Sequence, residues 1–489
     1  MSMEKAAPVT SQDQGLQYPL AGREAVNSNI LIVHHAIERI GMGKYQWQLL
    51  TTCGFGFLID QMLFVSISIL APTTAKEFGP AHSTLLSAPL YVGLLMGAIA
   101  YGALADKVGR RLIWQISIYG VSIVNIFSAS ATSWTAMNVW MALSGLFGGG
   151  NLAIDLAVLS EALPQKWMFL LTGLACVWGL GSAITGLIGT SFPHAWPLVV
   201  AFCCPNGATP ETCSRSENMG WRYLQIILGG LCLVMSLIRS FVIGMKESPK
   251  WLVTKGRIEE AMAAINSISK KNGSDYVMDI DQFSAIPAQS TQKTHWRQDL
   301  ATLRSFIVSA EKLRLLICLV LLWIFVGIAY PTYTLFLSYY LEAHGADLGD
   351  GSNYQTYRDW AVSAVVGILG PALRGMCAIF AGAFTIIKNE GQNLAFSCMI
   401  TFWLNAAYSI IYAYTPIVFS TEHRGTACGL LLSCGRAASL SAPFIATYGK
   451  VDSPVPLFVS CGLYVAIGVA GLLLPLEPSA ADFSINDEL

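Results

Sequence analysis

GALADKVGRR, residues 102–111, is a short polar break between two long apolar runs. Gly102 lets two helices approach closely, Asp106 can accept hydrogen bonds at a nearby helix amino terminus, and Gly109 permits a tight turn. Lys107, Arg110 and Arg111 then hold the segment at a cytosolic face, because short basic loops stay on that side of a membrane. By themselves these residues describe a basic turn between two helices; the rest of the chain gives the turn its meaning.

That rest is strongly apolar. Hydrophobic residues make up 54% of the 489 and charged residues 12%, and the mean hydropathy is +0.53. A soluble globule of that composition would lack polar cover, so the chain belongs in a bilayer. A net charge of -1 leaves no basic footprint for nucleic acid. Apolar runs of span length fall near 48–71, 84–105, 112–131, 135–158, 168–192, 222–244, 314–338, 394–416, 426–447 and 456–475. The expected organisation is a cytosolic amino-terminal tail (1–47), a six-helix half (48–244), a cytosolic linker (245–312), a second helical half (313–475) and a cytosolic carboxy-terminal tail (476–489). Orientation follows from the basic residues: the linker carries many, whereas loops 193–221 and 339–354 hold only Arg215 between them.

In this setting G-x-L-A-D-x-x-G-R-R, between the second and third of six spans, resembles the signature loop of the major facilitator superfamily. KESPKWLVTKGRIEEAMAAI (246–265) resembles the element that follows span six in its sugar-porter-like branch. GGGNLAIDLAVLSEALP (148–164) and YAYTPIVFSTEHRGTACGL (412–430) resemble fungal and animal relatives of synaptic vesicle transporter-like proteins. Ala153, Ile417 and Ser420 depart from that group's pattern, so its substrates do not carry over. The resemblance implies an all-α integral membrane protein of two six-helix halves, with a substrate site between them near the midplane. It also implies a cytosolic gating network of Gly102, Asp106, Gly109, Arg110, Arg111, Asp155, Glu161 and Glu247. Close packing is legible without it, in the small-xxx-small pairs Gly93/Gly97 and Gly145/Gly149.

Charges that cannot escape the hydrocarbon are the functional candidates. Asp60 lies near the middle of span one and is the proton-coupling candidate; Arg436 lies near the middle of span eleven and joins Gln61, Asn151, Tyr333 and Tyr408 as substrate-binding candidates. Trp323, Tyr330, Trp403 and Tyr412 are read as interfacial belt residues. Asp155 is expected to neutralise Arg110 or Arg111 at the inner gate, and Arg239, five residues from the end of span six, to snorkel to the interface. Cys213 has two possible disulfide partners in its outward loop, Cys203 and Cys204.

No P-loop, nucleophile elbow or dinucleotide fingerprint is present, and no Cys or His pattern suggests a metal, so neither enzymatic activity nor a cofactor is expected. The expected function is secondary transport of a small organic solute by alternating access, with protons as the coupling ion and a monomer in the plasma membrane as the working form. An internal vesicle or vacuole is the other location; export of a secondary metabolite and facilitative sugar uptake are the other substrate roles. A degenerate, non-transporting membrane protein that binds a ligand or partner is the competing reading. It draws on residues 361–387, AVSAVVGILGPALRGMCAIFAGAFTII, which are too long for one span and too short for two. Parity of the later loops calls for shortened helices eight and nine broken at Gly370-Pro371, with Arg374 at the cytosolic face; the alternative is eleven spans.

Overall fold

The structure is a computed structural model, and it describes residues 20–189, 202–204, 208–284, 310–343, 390–419, 424–448 and 455–474. The expected short pair at 361–387 lies outside these residues.

The expected cytosolic tail contains a helix, α1 (Leu20–Ile40). The amino-terminal half follows as α2 (Lys44–Phe78), α3 (Ser87–Val108), α4 (Arg110–Ser128), α5 (Trp134–Gly149), α6 (Asn151–Ala162), the single turn α7 (Phe169–Gly173), α8 (Cys176–Gly189) and α9 (Gly220–Leu237). Two linker helices, α10 (Pro249–Thr254) and α11 (Ile258–Asn272), precede α12 (Ala310–Ala343), α13 (Glu390–Val418), α14 (Arg424–Ser439), α15 (Ser441–Tyr448) and α16 (Val455–Leu472). Seven helical stretches among the described residues are long and apolar enough to cross a membrane. Among the described residues each of the ten apolar runs read from the sequence falls mainly on helix; 135–158 is divided between α5 and α6 at Gly150, 168–192 between α7 and α8, and 426–447 between α14 and α15 at Leu440.

Without a hydrophobic drive between helices in lipid, close backbone approach sets the packing. A Cβ on Gly93 would lie 2.1 Å from the Ala142 carbonyl oxygen, and one on Gly145 would lie 2.3 Å from that of Leu90. The two glycine pairs are therefore the opposed faces of one α3–α5 contact. The same device joins the halves: a Cβ on Gly429 of α14 would meet the Ala98 oxygen of α3 at 2.5 Å.

At one end of the bundle α1 packs Val33, Ala36 and Ile37 against Trp251, Leu252, Val253, Ala261 and Ile265 of the linker helices. Its 21 residues are too polar for a span, and the linker supplies the apolar partner its amphipathic face needs. Asn29 pins it further, donating to the Ser284 carbonyl (3.0 Å) and accepting from the Ser284 amide (2.8 Å). Asn272 ties α11 to the start of α2, accepting from the Tyr45 amide at 2.9 Å. On the opposite face Cys204 is disulfide-bonded to Cys213, which leaves Cys203 free. Beside this loop Arg222 donates to both carboxylate oxygens of Glu77, at 2.7 and 2.9 Å.

Candidate functional site

Span one is apolar around Asp60, and a carboxylate there requires a partner. Arg436, on the other half of the molecule, supplies it: Nη2 donates to Asp60 Oδ1 at 3.0 Å. The guanidinium also sits 5.0 Å from the centroid of the Phe64 ring, one helical turn from Asp60. The two mid-membrane charges singled out in the sequence thus form one pair across the interface between halves.

The pair lines a cavity with Gln61, Phe64, Tyr91 and Trp178 from the amino-terminal half and Tyr330, Pro331, Asn405, Tyr408, Tyr412 and Ser439 from the other. It leaves about 40 Å³ for the centres of water-sized molecules. Its floor is a run of edge-to-face rings, the arrangement aromatic quadrupoles favour: Trp178 with Tyr408 at 5.5 Å and with Tyr412 at 4.8 Å, and Trp323 with Tyr412 at 4.7 Å. Tyr330, Trp323 and Tyr412 are therefore interior residues, not belt residues. Trp323 Nε1 donates to Thr415 Oγ1 at 3.2 Å in the core. Trp178 had no motif to announce it; the signal available was one ring in an otherwise small-residue stretch, WGLGSAITG (178–186). Tyr333 lies on α12, and its side chain is outside the described residues.

Asn151 is not at this cavity. It belongs to a second buried cluster inside the amino-terminal half, where its Oδ1 accepts from Arg239 Nη1 at 3.2 Å. Arg239 forms an ion pair with Asp155, both side chains are fully buried, and Trp114 Nε1 donates to the same carboxylate. The Arg239 guanidinium lies 3.1 Å from the centroid of the Trp114 ring. Two expectations are corrected here: Arg239 does not snorkel, and Asp155 neutralises neither Arg110 nor Arg111. The cause is local backbone geometry. Residues Ile238–Ile243 form a π-helical turn at the end of α9, whose wider winding turns Arg239 inward. Gly56 makes the room, since a Cβ there would lie 1.7 Å from Asp155 Oδ2.

On the side of the linker helices Glu161, 1% exposed, is the hub. It pairs with Arg110 of its own half and with Arg424 of the other (3.1 Å), and accepts from Ser248 Oγ at 2.5 Å. Asp106 accepts from the Thr426 backbone amide (2.7 Å) and hydroxyl (2.8 Å), again across the halves. Glu247 accepts from the amides of Arg110 (3.0 Å) and Arg111 (3.1 Å). Gly109, at φ +120, leaves Glu247 its place; a Cβ would lie 2.8 Å from that carboxylate. Arg111 contributes its amide to this cluster, while its side chain is exposed. Arg424 was missed because it sits at a helix start, where a basic residue reads as an anchor.

Buried beside this hub is Lys250, whose ammonium lies 3.3 Å from His34 Nδ1 on α1. Burial pushes it down to about 8, and the Arg424 and Arg110 charges act the same way against Glu161 and Glu38. Burial also lowers His34, with Lys250 adding to the effect. At the opposite face the halves touch through the Thr84 and Thr447 hydroxyls (2.5 Å) and the His82 and Tyr448 rings (5.6 Å). Among the described residues, no group of three or more His, Cys, Asp or Glu side chains is placed to hold a metal ion.

A membrane-embedded charge pair between two helical halves, tied together above and below it, is the arrangement of a carrier and not of a channel or a hydrolase. The Major Facilitator Superfamily model matches residues 52–388, and the chain belongs to that superfamily. It is a multi-pass membrane transporter and not an enzyme. It is 33% identical to the MFS siderochrome iron transporter 1 of Ceriporiopsis subvermispora, over 97% of this chain and 99% of that protein. It is 26% identical to the synaptic vesicle 2-related protein of Xenopus laevis, over 91% of this chain and 81% of that one. The fold is that of the E. coli xylose transporter XylE in a partially occluded inward-open conformation: TM-score 0.61 at 12% identity, with 87% of this chain and 96% of that chain covered.

Proposed function

We propose that this protein is a proton-coupled secondary transporter of a small organic solute, with Asp60 as the proton-carrying group. The observation that carries the reading is the Asp60–Arg436 pair at the cavity between the halves. Protonating Asp60 removes one charge of the pair and frees Arg436, so proton binding and solute binding act on the same contact. The Glu161–Arg424 and Asp106–Thr426 contacts form the cytosolic gate. In this reading they join the halves only when that side is closed, and residues 245–312 and α1, which lie on the same side, are cytosolic. The siderochrome and xylose in the names of two similar proteins differ in size and charge, so those names give no common substrate. The plasma membrane is the proposed location and the monomer the working unit.

The test is accumulation of a panel of small organic solutes by vesicles containing the purified protein, with and without an imposed pH gradient. Gradient-driven accumulation is expected for the wild type. Asp60→Asn should lose it while retaining exchange of solute across the membrane. Normal pH dependence in Asp60→Asn, or movement of no solute under any gradient, would sink the reading.

A further inference from the structure

The cavity has more to say about what it accepts. Several of its neutral polar groups are already engaged within the protein. Ser439 Oγ donates within the helix bundle, 2.9 Å from both the Gly327 and Gly435 carbonyls. The Tyr408 hydroxyl donates to the Val326 carbonyl at 3.5 Å, and Gln61 bonds the Tyr330 hydroxyl. A polyol would have to compete with these bonds for the donors already committed. The contact that a proton can release is the one between Arg436 and Asp60. Among the described residues, the charged and titratable groups facing Asp60 are Arg436 of α14, Tyr91 of α3, Tyr330 of α12 and Tyr412 of α13, so Arg436 is the cation of the set.

We propose that the site takes a small planar carboxylate, an aromatic acid, which replaces Asp60 as the partner of Arg436 when Asp60 is protonated; the proposal rests on the transport reading above. A guanidinium presents a planar fork that matches a carboxylate, so the incoming group reproduces the bond Asp60 gives up. The rings of Phe64, Trp178, Tyr408 and Tyr412 supply flat apolar walls from both halves. A flat ring fills such a slot with little loss of its own freedom. Charge balances through the step. The empty site holds one guanidinium and one carboxylate; the loaded site holds the guanidinium, a neutral carboxylic acid and the ligand carboxylate. One proton therefore enters with each anion, and transport is electroneutral.

The experiment uses the full-length protein in detergent, benzoate as probe, Trp178 fluorescence as the binding signal and a pH-indicator dye in weak buffer to count protons. Benzoate is expected to bind saturably at millimolar concentration with one proton taken up per anion, and its affinity is expected to fall about tenfold per pH unit on the alkaline side. Benzamide and xylose should not compete. Asp60→Asn should bind benzoate with neither proton uptake nor the pH slope. Tyr408→Leu should reduce the preference for benzoate over cyclohexanecarboxylate while leaving the proton count at one. Benzoate binding without proton uptake in the wild type would overturn the proposal. So would unchanged benzoate affinity in both Arg436→Gln and Arg436→Lys, or saturable binding of xylose in place of benzoate. If vesicles accumulate a neutral solute under the pH gradient and benzoate does not bind, this inference fails and the transport reading stands; if the gradient moves nothing, the transport reading itself falls.

Discussion

Removing one member of the Asp155–Arg239 pair should be far more damaging than removing both. Both side chains are fully buried inside the amino-terminal half. Arg239→Met leaves a carboxylate supported by the Trp114 indole N–H and the Cys53 thiol. Asp155→Leu leaves a guanidinium with the Asn151 amide oxygen and the Trp114 ring face. Each single change should cost about 3–5 kcal/mol, the range for stripping one charge from a buried pair. The native network is itself incomplete, since Arg239 Nε has no hydrogen-bond partner. Replacing both charges with apolar groups therefore removes unfavourable desolvation along with the attraction. The double variant should lie within about 2 kcal/mol of wild type and be more stable than either single. Equilibrium unfolding in mixed micelles, followed by tryptophan fluorescence, gives the ordering. A double variant at the sum of the two singles, or singles that each cost under about 1 kcal/mol, would refute the reasoning and imply that Arg239 reaches water.

Three further outcomes are expected. Glu161→Gln leaves the Arg110 and Arg424 guanidinia facing each other; in a background where the fully buried Cys428 is the one free cysteine, its alkylation from the cytosolic side should quicken about tenfold, equivalent to ~1.4 kcal/mol of gate stability, and an unchanged rate would count against the gate. Lys250 holds its proton to about 8 when folded and to 10.5 when unfolded, so the unfolded chain binds more protons between those values. Stability relative to Lys250→Met should therefore rise with pH across that window, by about 3 kcal/mol at most, and stay level below it; a parallel pH curve for the variant would contradict the burial of the ammonium. Finally, Gly391→Cys should react with an impermeant thiol reagent from outside, as twelve spans require, whereas labelling only after permeabilisation would mean that residues 361–387 cross once.

The features legible in the sequence were those in which a residue contradicts its surroundings. Asp60 and Arg436 stand out from apolar runs, and two glycine pairs at four-residue spacing mark the surfaces that meet. Their mutual partnership was not legible, because they are 376 residues apart and no local pattern encodes which helices face each other. Arg239 misled for a different reason. Distance from a helix end predicts snorkelling only if the helix keeps its winding, and here the end of α9 winds as a π-helical turn that contains Arg239. Cys203 and Cys204 were equivalent by spacing, and only the folded loop distinguishes them. The first helix was hidden because its apolar face suits a protein partner, the linker, and not lipid.

The contact between Asp106 and Thr426 also bears on how the transporter turns over. Thr426 occupies the first turn of α14, where the backbone amides have no partner within the helix. Asp106 thus serves as an N-cap in trans, ending a helix of the opposite half. Such a cap is worth about 0.5–2 kcal/mol, enough to bias a conformation and too little to trap it. In the proposed gate, each opening toward the cytosol uncaps this helix and each closure re-forms its first turn. The latch between the halves is then in part a fraying helix end, which the carrier can release and remake once per cycle within thermal reach.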